Sequence, residues 1–419
     1  MIFLWVLVVP ALLLSVLAYR GEAARIRYIK RILSEPDTDE FPPATVIVPV
    51  KGEDEGLREN LASLAALDYP DYELIVAART PGDVPDGVLP PKAKAVYAGA
   101  APFRAATVRE RGLPGEGSSE KIGNLLAAIA ASRAESEIYA FADSDGRVRP
   151  GWLRALAAPL RRKEVGASTG YRWYIPRHPD FWSLLRGAWN AVIAGSFGPG
   201  PNGFLWGGAM AIRKQVFEEA GVAEYWAGAV SDDYQLARAV LDAGLAIAYA
   251  PGAMVASLDR IGPRELFSWV RRQMVLTRVH APRLWRTALL AHVIYCGAMV
   301  ACAAAALAGW MPAIPLLGAQ IGLGMGKALV RSRTVRLCFP EHRDWFRRYA
   351  WMEVMLAPAA TWLWLYSLVA STAGNTIEWR GRTYRLERPP RRARLATPGT
   401  GCHNQTLRGR GKPNENAVD

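Results

Sequence analysis

The chain has 419 residues, a formal net charge of +13, and 51% hydrophobic content with 15 tryptophans. Such a length holds about two or three ordinary domains, and four cysteines without paired spacing exclude a disulfide framework or a structural zinc module. The bases are not interleaved with aromatics along one strand or helix, so no nucleic-acid partner is expected.

The first segment, Ile2 to Tyr19, is apolar and just long enough to span a bilayer, which takes about 17 to 25 residues. Arg20, Arg25, Arg27, Lys30 and Arg31 follow it, whereas a cleaved signal carries its charge first. Residues 1–19 therefore read as an uncleaved anchor that holds the next domain in the cytoplasm. After Pro42-Pro43 come a buried strand, Thr45–Val50, a helix from Glu55 to Ala66, and strands at Tyr72–Ala78, Ala93–Tyr97 and Tyr139–Ala142. Strands alternating with helices predict an α/β fold over residues 20–262, a mostly parallel sheet with helices on both faces.

Within that domain the run Ile138-Tyr-Ala-Phe-Ala ends in Asp143-Ser-Asp145. Side chains alternate along a strand, so the two acids point the same way, into the crevice where open α/β sheets bind ligands. A pair of carboxylates there suits Mg²⁺ or Mn²⁺ together with a diphosphate: Asp145 reads as the metal ligand, and Asp143 as metal ligand or holder of sugar hydroxyls. The alternative is that aspartate simply favours the turn after a strand. Lys121 opens the helix before this strand, where a lysine and free backbone N–H groups favour a phosphate, although lysine is by default a surface residue.

Farther on, Gly151–Arg162 reads as a helix, Gly166–Tyr174 as one strand, and Phe181–Ala194 as a segment apolar on more than one face. Gly207 and Gly208 permit close backbone approach to a ligand or mark a tight turn. Ser231-Asp-Asp-Tyr234 begins a helix, with Ser231 or Asp232 as cap and Asp233 as candidate general base. Residues 263–286 read as an amphipathic interface helix carrying Arg271, Arg272 and Arg278. Of the histidines, His280 and His292 read as structural.

The segment 287–373 holds two or three spans: Thr287–Met311, a weak glycine-rich Pro312–Val330, and Ala350–Ala373. The tail, 374–419, is basic and expected to be cytoplasmic and disordered after about residue 389. Its arginines suit anionic headgroups. Counting crossings produces a conflict. Four full spans export the tail, and dropping the weak span exports Arg331, Arg333, Arg336, Arg343, Arg347 and Arg348.

In order, Val46-Ile-Val-Pro-Val-Lys51-Gly, Leu67-Asp-Tyr-Pro-Asp-Tyr-Glu73, Lys121-Ile-Gly-Asn-Leu125, Asp143-Ser-Asp-Gly-Arg-Val148, Gly207-Gly-Ala-Met, Asp232-Asp-Tyr and Ile377-Glu-Trp-Arg-Gly-Arg-Thr-Tyr-Arg-Leu386 resemble the family 2 glycosyltransferases. The resemblance is nearer to their ceramide glucosyltransferase-like branch. It implies a GT-A (Rossmann-like) nucleotide-sugar domain, a metal-assisted inverting displacement and a membrane lipid acceptor. Carried over by position, Asp143 and Asp145 look like the metal and donor acids and Asp233 like the base. Asp83 is similar in place to an acid of the nucleotide pocket. The family's Gln/Arg-x-x-Arg-Trp block falls at Trp269–Gln273, where only Arg272 matches, and Gln273 stands in place of tryptophan.

That loss argues against a processive polysaccharide synthase, which remains the second reading; a non-catalytic basic membrane scaffold is the third. The first expectation is transfer of one sugar from a nucleoside-diphosphate donor, UDP-linked by preference, to a lipid hydroxyl. Lys121 or Arg272 would steady the diphosphate.

Overall fold

The structure, a computed structural model, describes residues 2–35, 40–99, 118–200 and 203–387. The expected disorder after about residue 389 lies outside them. The first helix, α1 (Ile2–Ser34), does not stop at Tyr19 but runs on through the basic cluster. Its second half is a packing element: Ile29 is fully buried and the Tyr28 hydroxyl donates to the Tyr249 carbonyl at 2.6 Å. Arg25, one of the basic cluster that follows the apolar segment, is buried beside Glu22, which also pairs with Arg331 at 2.7 Å.

The catalytic-sized domain follows as β1 (Ala44–Pro49), α2 (Leu57–Ala65), β2 (Tyr72–Ala78), β3 (Ala93–Tyr97), α3 (Glu120–Ala130), β4 (Ile138–Ala142) and α4 (Trp152–Ala157). Next are β5 (Val165–Thr169), β6 (Arg172–Tyr174), α5 (Phe181–Ala194), β7 (Ala209–Arg213), α6 (Lys214–Glu219), α7 (Val222–Trp226), α8 (Asp232–Asp242), β8 (Ala246–Tyr249) and β9 (Val255–Ser257). Seven strands form one sheet in the order β3-β2-β1-β4-β7-β5-β8, with β7 antiparallel to both neighbours and the remaining pairs parallel. Alternation sets its two faces. Val46 and Val48 meet α2 and α4, while Ile47 and Phe141 meet α3, α7 and α8. Strand order reverses between β1 and β4, the place where such sheets leave a crevice at the strands' carboxyl ends.

The stretch expected as one strand, Gly166–Tyr174, is two. A Cβ on Gly170 would lie 2.1 Å from the Ala253 carbonyl oxygen, so only glycine lets the chain pass; it leaves the sheet there and pairs β6 with β9 in a separate two-stranded sheet.

Beyond the domain lie α9 (Pro263–His280), α10 (Pro282–Leu307), α11 (Ala313–Val335), α12 (Arg343–Met355), α13 (Ala357–Ala370) and a hairpin of β10 (Thr376–Trp379) and β11 (Arg382–Arg385). The α1, α10 and α11 helices are each long and apolar enough to cross a membrane. The segment expected to be a strong span, Ala350–Ala373, is instead broken: α12 and α13 meet at a 61° bend. Pro358 in the first turn of α13 explains the break, because its ring lacks an N–H and clashes with the preceding turn. The weak, glycine-rich segment is an unbroken helix.

Residues 263–286 are likewise not one helix, since Ala281 is non-helical. Arg271 donates to the last carbonyl of α13, that of Ala370, at 3.3 Å, and Arg271 and Arg278 also hold the turn after it, donating to the carbonyls of Ala373 and Gly374 at 2.6 and 2.7 Å. Side chains of α5, α9 and α13, including Trp189, Val270 and Trp364, share one apolar cluster, so α5 is mostly enclosed.

Candidate active site

Five of the six residues singled out from sequence meet in one cavity at the reversal point: Lys121, Asp143, Asp145, Asp233 and Arg272 all line it. The sixth, Asp83, is not among its lining residues. Its carboxylate turns back onto Thr80, accepting from that residue's N–H and hydroxyl at 2.9 and 2.8 Å as a cap of a short 3-10 turn.

Each side chain is placed by the end of an element. Asp143 and Asp145 follow β4, and Gly146 must be glycine because a Cβ would come within 2.4 Å of Val255. Lys121 sits in the first turn of α3, capped by Ser119, and its ammonium bridges Asp143 at 2.9 Å and Asp232 at 3.1 Å. A Cβ on Gly207 would crowd Asp232 and Lys121, and one on Gly208 would lie 2.7 Å from Asp143. The two glycines therefore let backbone approach the acids closely.

Asp233 is held by three donors: the N–H groups of Gly207 and Tyr234, at 3.3 and 2.7 Å, and the Ser231 hydroxyl. Asp232 is more enclosed. Burial, reinforced by the charges of Asp233 and Asp143 and opposed by Lys121, pushes its carboxyl up to about 6. Asp143 goes the other way: burial raises it, but Lys121 and Arg172 outweigh burial and hold it below the usual carboxylate range. Burial also lowers Arg272, and nearby Arg380 and Arg172 add to that effect. His280 is half-buried, stacks on Tyr234 with ring centroids 5.3 Å apart, and is pushed down to about 4, chiefly by desolvation.

Several lining residues escaped the sequence reading. Arg172, from the short strand that leaves the sheet, binds both Asp143 and Asp145. Trp269 and Gln273, noted in the sequence only as the departure from the Gln/Arg-x-x-Arg-Trp block, flank Arg272 on α9. Trp379, Arg380 and Tyr384 arrive from the carboxyl-terminal hairpin, where Arg380, at φ 50°, pairs with Asp54 at 2.6 Å. The Trp-Arg-Gly-Arg sequence was visible as a motif; nothing in its spacing announced that it folds back onto the cavity.

Two adjacent carboxylates offer the hard oxygen ligands that Mg²⁺ and Mn²⁺ prefer. Among the described residues no cluster of three or more His, Cys, Asp or Glu is placed to hold a metal. The donor set therefore fits a divalent ion only with oxygens added by a bound diphosphate, the usual magnesium arrangement.

The chain is similar to several solved proteins. Mannosyltransferase PcManGT from Pyrobaculum calidifontis, in complex with GDP-Man and Mn²⁺, is 17% identical, with 88% of this chain and 98% of that one covered and a TM-score of 0.40. A mycobacterial protein is 16% identical over 63% and 78% of the two chains, with a TM-score of 0.34. GalNAc-T7 with UDP, GalNAc and Mn²⁺ is 13% identical over 58% and 48%, with a TM-score of 0.38. These likenesses are too remote to carry an argument about ligand or mechanism. The sequence model of glycosyl transferase family 21, in contrast, matches residues 3–391. That span takes in the whole sheet, the cavity and the helices, and it removes the non-catalytic scaffold as an alternative: the chain is a glycosyltransferase of glycosyl transferase family 21.

Proposed function

We propose that this glycosyltransferase moves one sugar, with inversion, from a nucleoside-diphosphate donor to the hydroxyl of a ceramide-like or other membrane lipid at the cytoplasmic face. The observation that carries the reading is the convergence of Asp143, Asp145, Asp233, Lys121 and Arg272 on one cavity from distant parts of the chain. Asp233 takes the acceptor hydroxyl's proton as that oxygen attacks the sugar's anomeric carbon and the diphosphate departs. Lys121, Arg272 and Arg380 face the leaving diphosphate as fixed positive charge. When bound, a divalent ion held by Asp145 and Asp143 supplies further neutralisation of that charge.

A lipid acceptor is supported by the way α9 joins the cavity to an apolar surface. Its Trp269, Gln273 and Leu276 line the cavity, while Phe267 packs on Tyr366 of α13 at 5.1 Å between ring centroids. Around Tyr366, α13 presents an apolar groove with Trp362, Leu365, Val369 and Ala370.

We assign the crossings to α1, α10 and α11, with the bent α12–α13 pair kept on the catalytic side. The support is the Arg380–Asp54 pair, which requires an even number of crossings between the domain and the hairpin. On this assignment all six arginines between Arg331 and Arg348 stay beside the domain, as the positive-inside rule asks.

The test uses the full chain in lipid nanodiscs with radiolabelled UDP- and GDP-sugars and lipid extract. Labelled lipid carrying one sugar is expected, with turnover reduced about 10²-fold or more in Asp233→Asn and Asp145→Ala. Wild-type rates in both variants overturn the assignment, and products of growing chain length overturn single transfer.

A further inference from the structure

Every carboxylate oxygen of the acidic pair already carries a donor from this chain. Asp143 Oδ1 accepts from Lys121 at 2.9 Å. Asp143 Oδ2 accepts from Arg172 Nη2 at 3.1 Å, and Asp145 Oδ1 and Oδ2 accept from Arg172 Nη2 and Nη1 at 3.1 and 3.0 Å. Three of the four oxygens thus belong to one guanidinium, whose planar fork suits such bridging. The guanidinium is also seated: Nη1 donates to the Tyr174 hydroxyl at 3.2 Å, and its carbon lies 4.6 Å from the Trp206 ring centre. Asn190 donates to the Arg172 carbonyl at 3.1 Å and accepts from the Tyr171 hydroxyl at 2.9 Å, fixing β6 from behind.

A divalent ion needs these same oxygens at about 2.0–2.1 Å and in strict geometry. Guanidinium and ion compete for them, because the guanidinium lies across both carboxylates and like charges so close repel strongly in a buried site. We propose that Arg172 competes with the divalent ion for Asp143 and Asp145, and that an arriving diphosphate draws Arg172 off the acids, so that metal binding depends on the donor. This rests on the metal reading given above. The diphosphate offers what the guanidinium gives up, a bidentate anionic partner. The free acids then present their oxygens to the ion. Arg172 is in this sense a positioning residue, setting when the ion enters.

The test measures Mn²⁺ binding by electron paramagnetic resonance on the full chain in nanodiscs, first without nucleotide and then with UDP or GDP. Without nucleotide, Arg172→Ala is expected to bind Mn²⁺ at least about tenfold more tightly than wild type, the size of one charge-assisted hydrogen bond. A smaller change, or no binding by either protein, overturns the proposal. If circular dichroism shows that Arg172→Ala does not fold, Arg172→Lys decides: an ammonium cannot span both carboxylates. Tighter binding than wild type then supports competition, and equal or weaker binding overturns it. Nucleotide binding by the same samples in chelator reports separately on the donor site, so failure there counts against the proposed function and leaves the Arg172 comparison readable.

Discussion

Asp232 and Asp233 are consecutive, yet their surroundings differ in kind. Asp233 accepts from two backbone N–H groups and a hydroxyl, whereas Asp232 is 4% exposed and has one cationic neighbour, Lys121. The folded value of about 6 for Asp232 lies above its ordinary 3.8, so the folded protein takes this proton first. Its contribution to stability is therefore complete below about pH 4 and is lost as pH rises through 6. Asp232→Asn, which cannot ionise, is expected to match wild type near about pH 4 and to exceed it by about 1–3 kcal/mol near pH 7.5. Thermal unfolding across that range in one detergent checks this, and a pH-independent difference refutes it. Asp143, Asp145 and Asp233 were legible because each sits where a strand ends or a helix begins, and those places are visible in hydrophobic patterning. Arg172 was not. It lies among aromatics in a run that reads as buried strand, and only the third dimension shows which acids it faces.

For the elements, the break at Gly170 is what turns a sheet strand into the carrier of Arg172. Gly170→Ala puts a methyl 2.1 Å from the Ala253 carbonyl oxygen, a backbone atom that cannot swing aside. A loss of about 1–3 kcal/mol is expected, as for other overpacked sites, together with reduced turnover as β6 shifts. Denaturant unfolding and the radiolabel assay read the two effects. The strand periodicity of Gly166–Tyr174 carried no trace of this break, because all of its residues but Arg172 are buried on both sides of it. The break between α12 and α13 was legible in principle through Pro358; the long apolar run on either side of it gave the impression of a continuous span. The arginines of α9 show a second limit of pattern reading. Helical spacing located Arg271 and Arg278 on one side of the helix, but their partners, carbonyls of the turn that follows α13, lie about a hundred positions away in the chain.

Across the whole molecule, the alternating strands and helices made the α/β sheet legible, and the apolar segments made the membrane association legible. The number of crossings was not, since it turns on a contact between Arg380 and Asp54 that no local pattern encodes. The proposed arrangement has a direct check. In a chain stripped of its native cysteines, a cysteine at Leu307, which is 91% exposed at the end of α10, is expected to react with a membrane-impermeant reagent from one side of sealed vesicles. One at Asp344, at the start of α12, is expected to react only from the other side. Labelling of both from the same side removes the crossing by α11 and overturns this arrangement.

The hairpin of β10 and β11 also bears on biogenesis. A ribosome makes it after the sheet and after every membrane helix described, yet Trp379, Arg380 and Tyr384 form part of the cavity wall. The domain can thus emerge and begin to fold before α10 and α11 are complete, but this wall of its cavity closes only when these last strands are delivered. Translation that halts after α13 yields a membrane-inserted chain whose cavity lacks that wall.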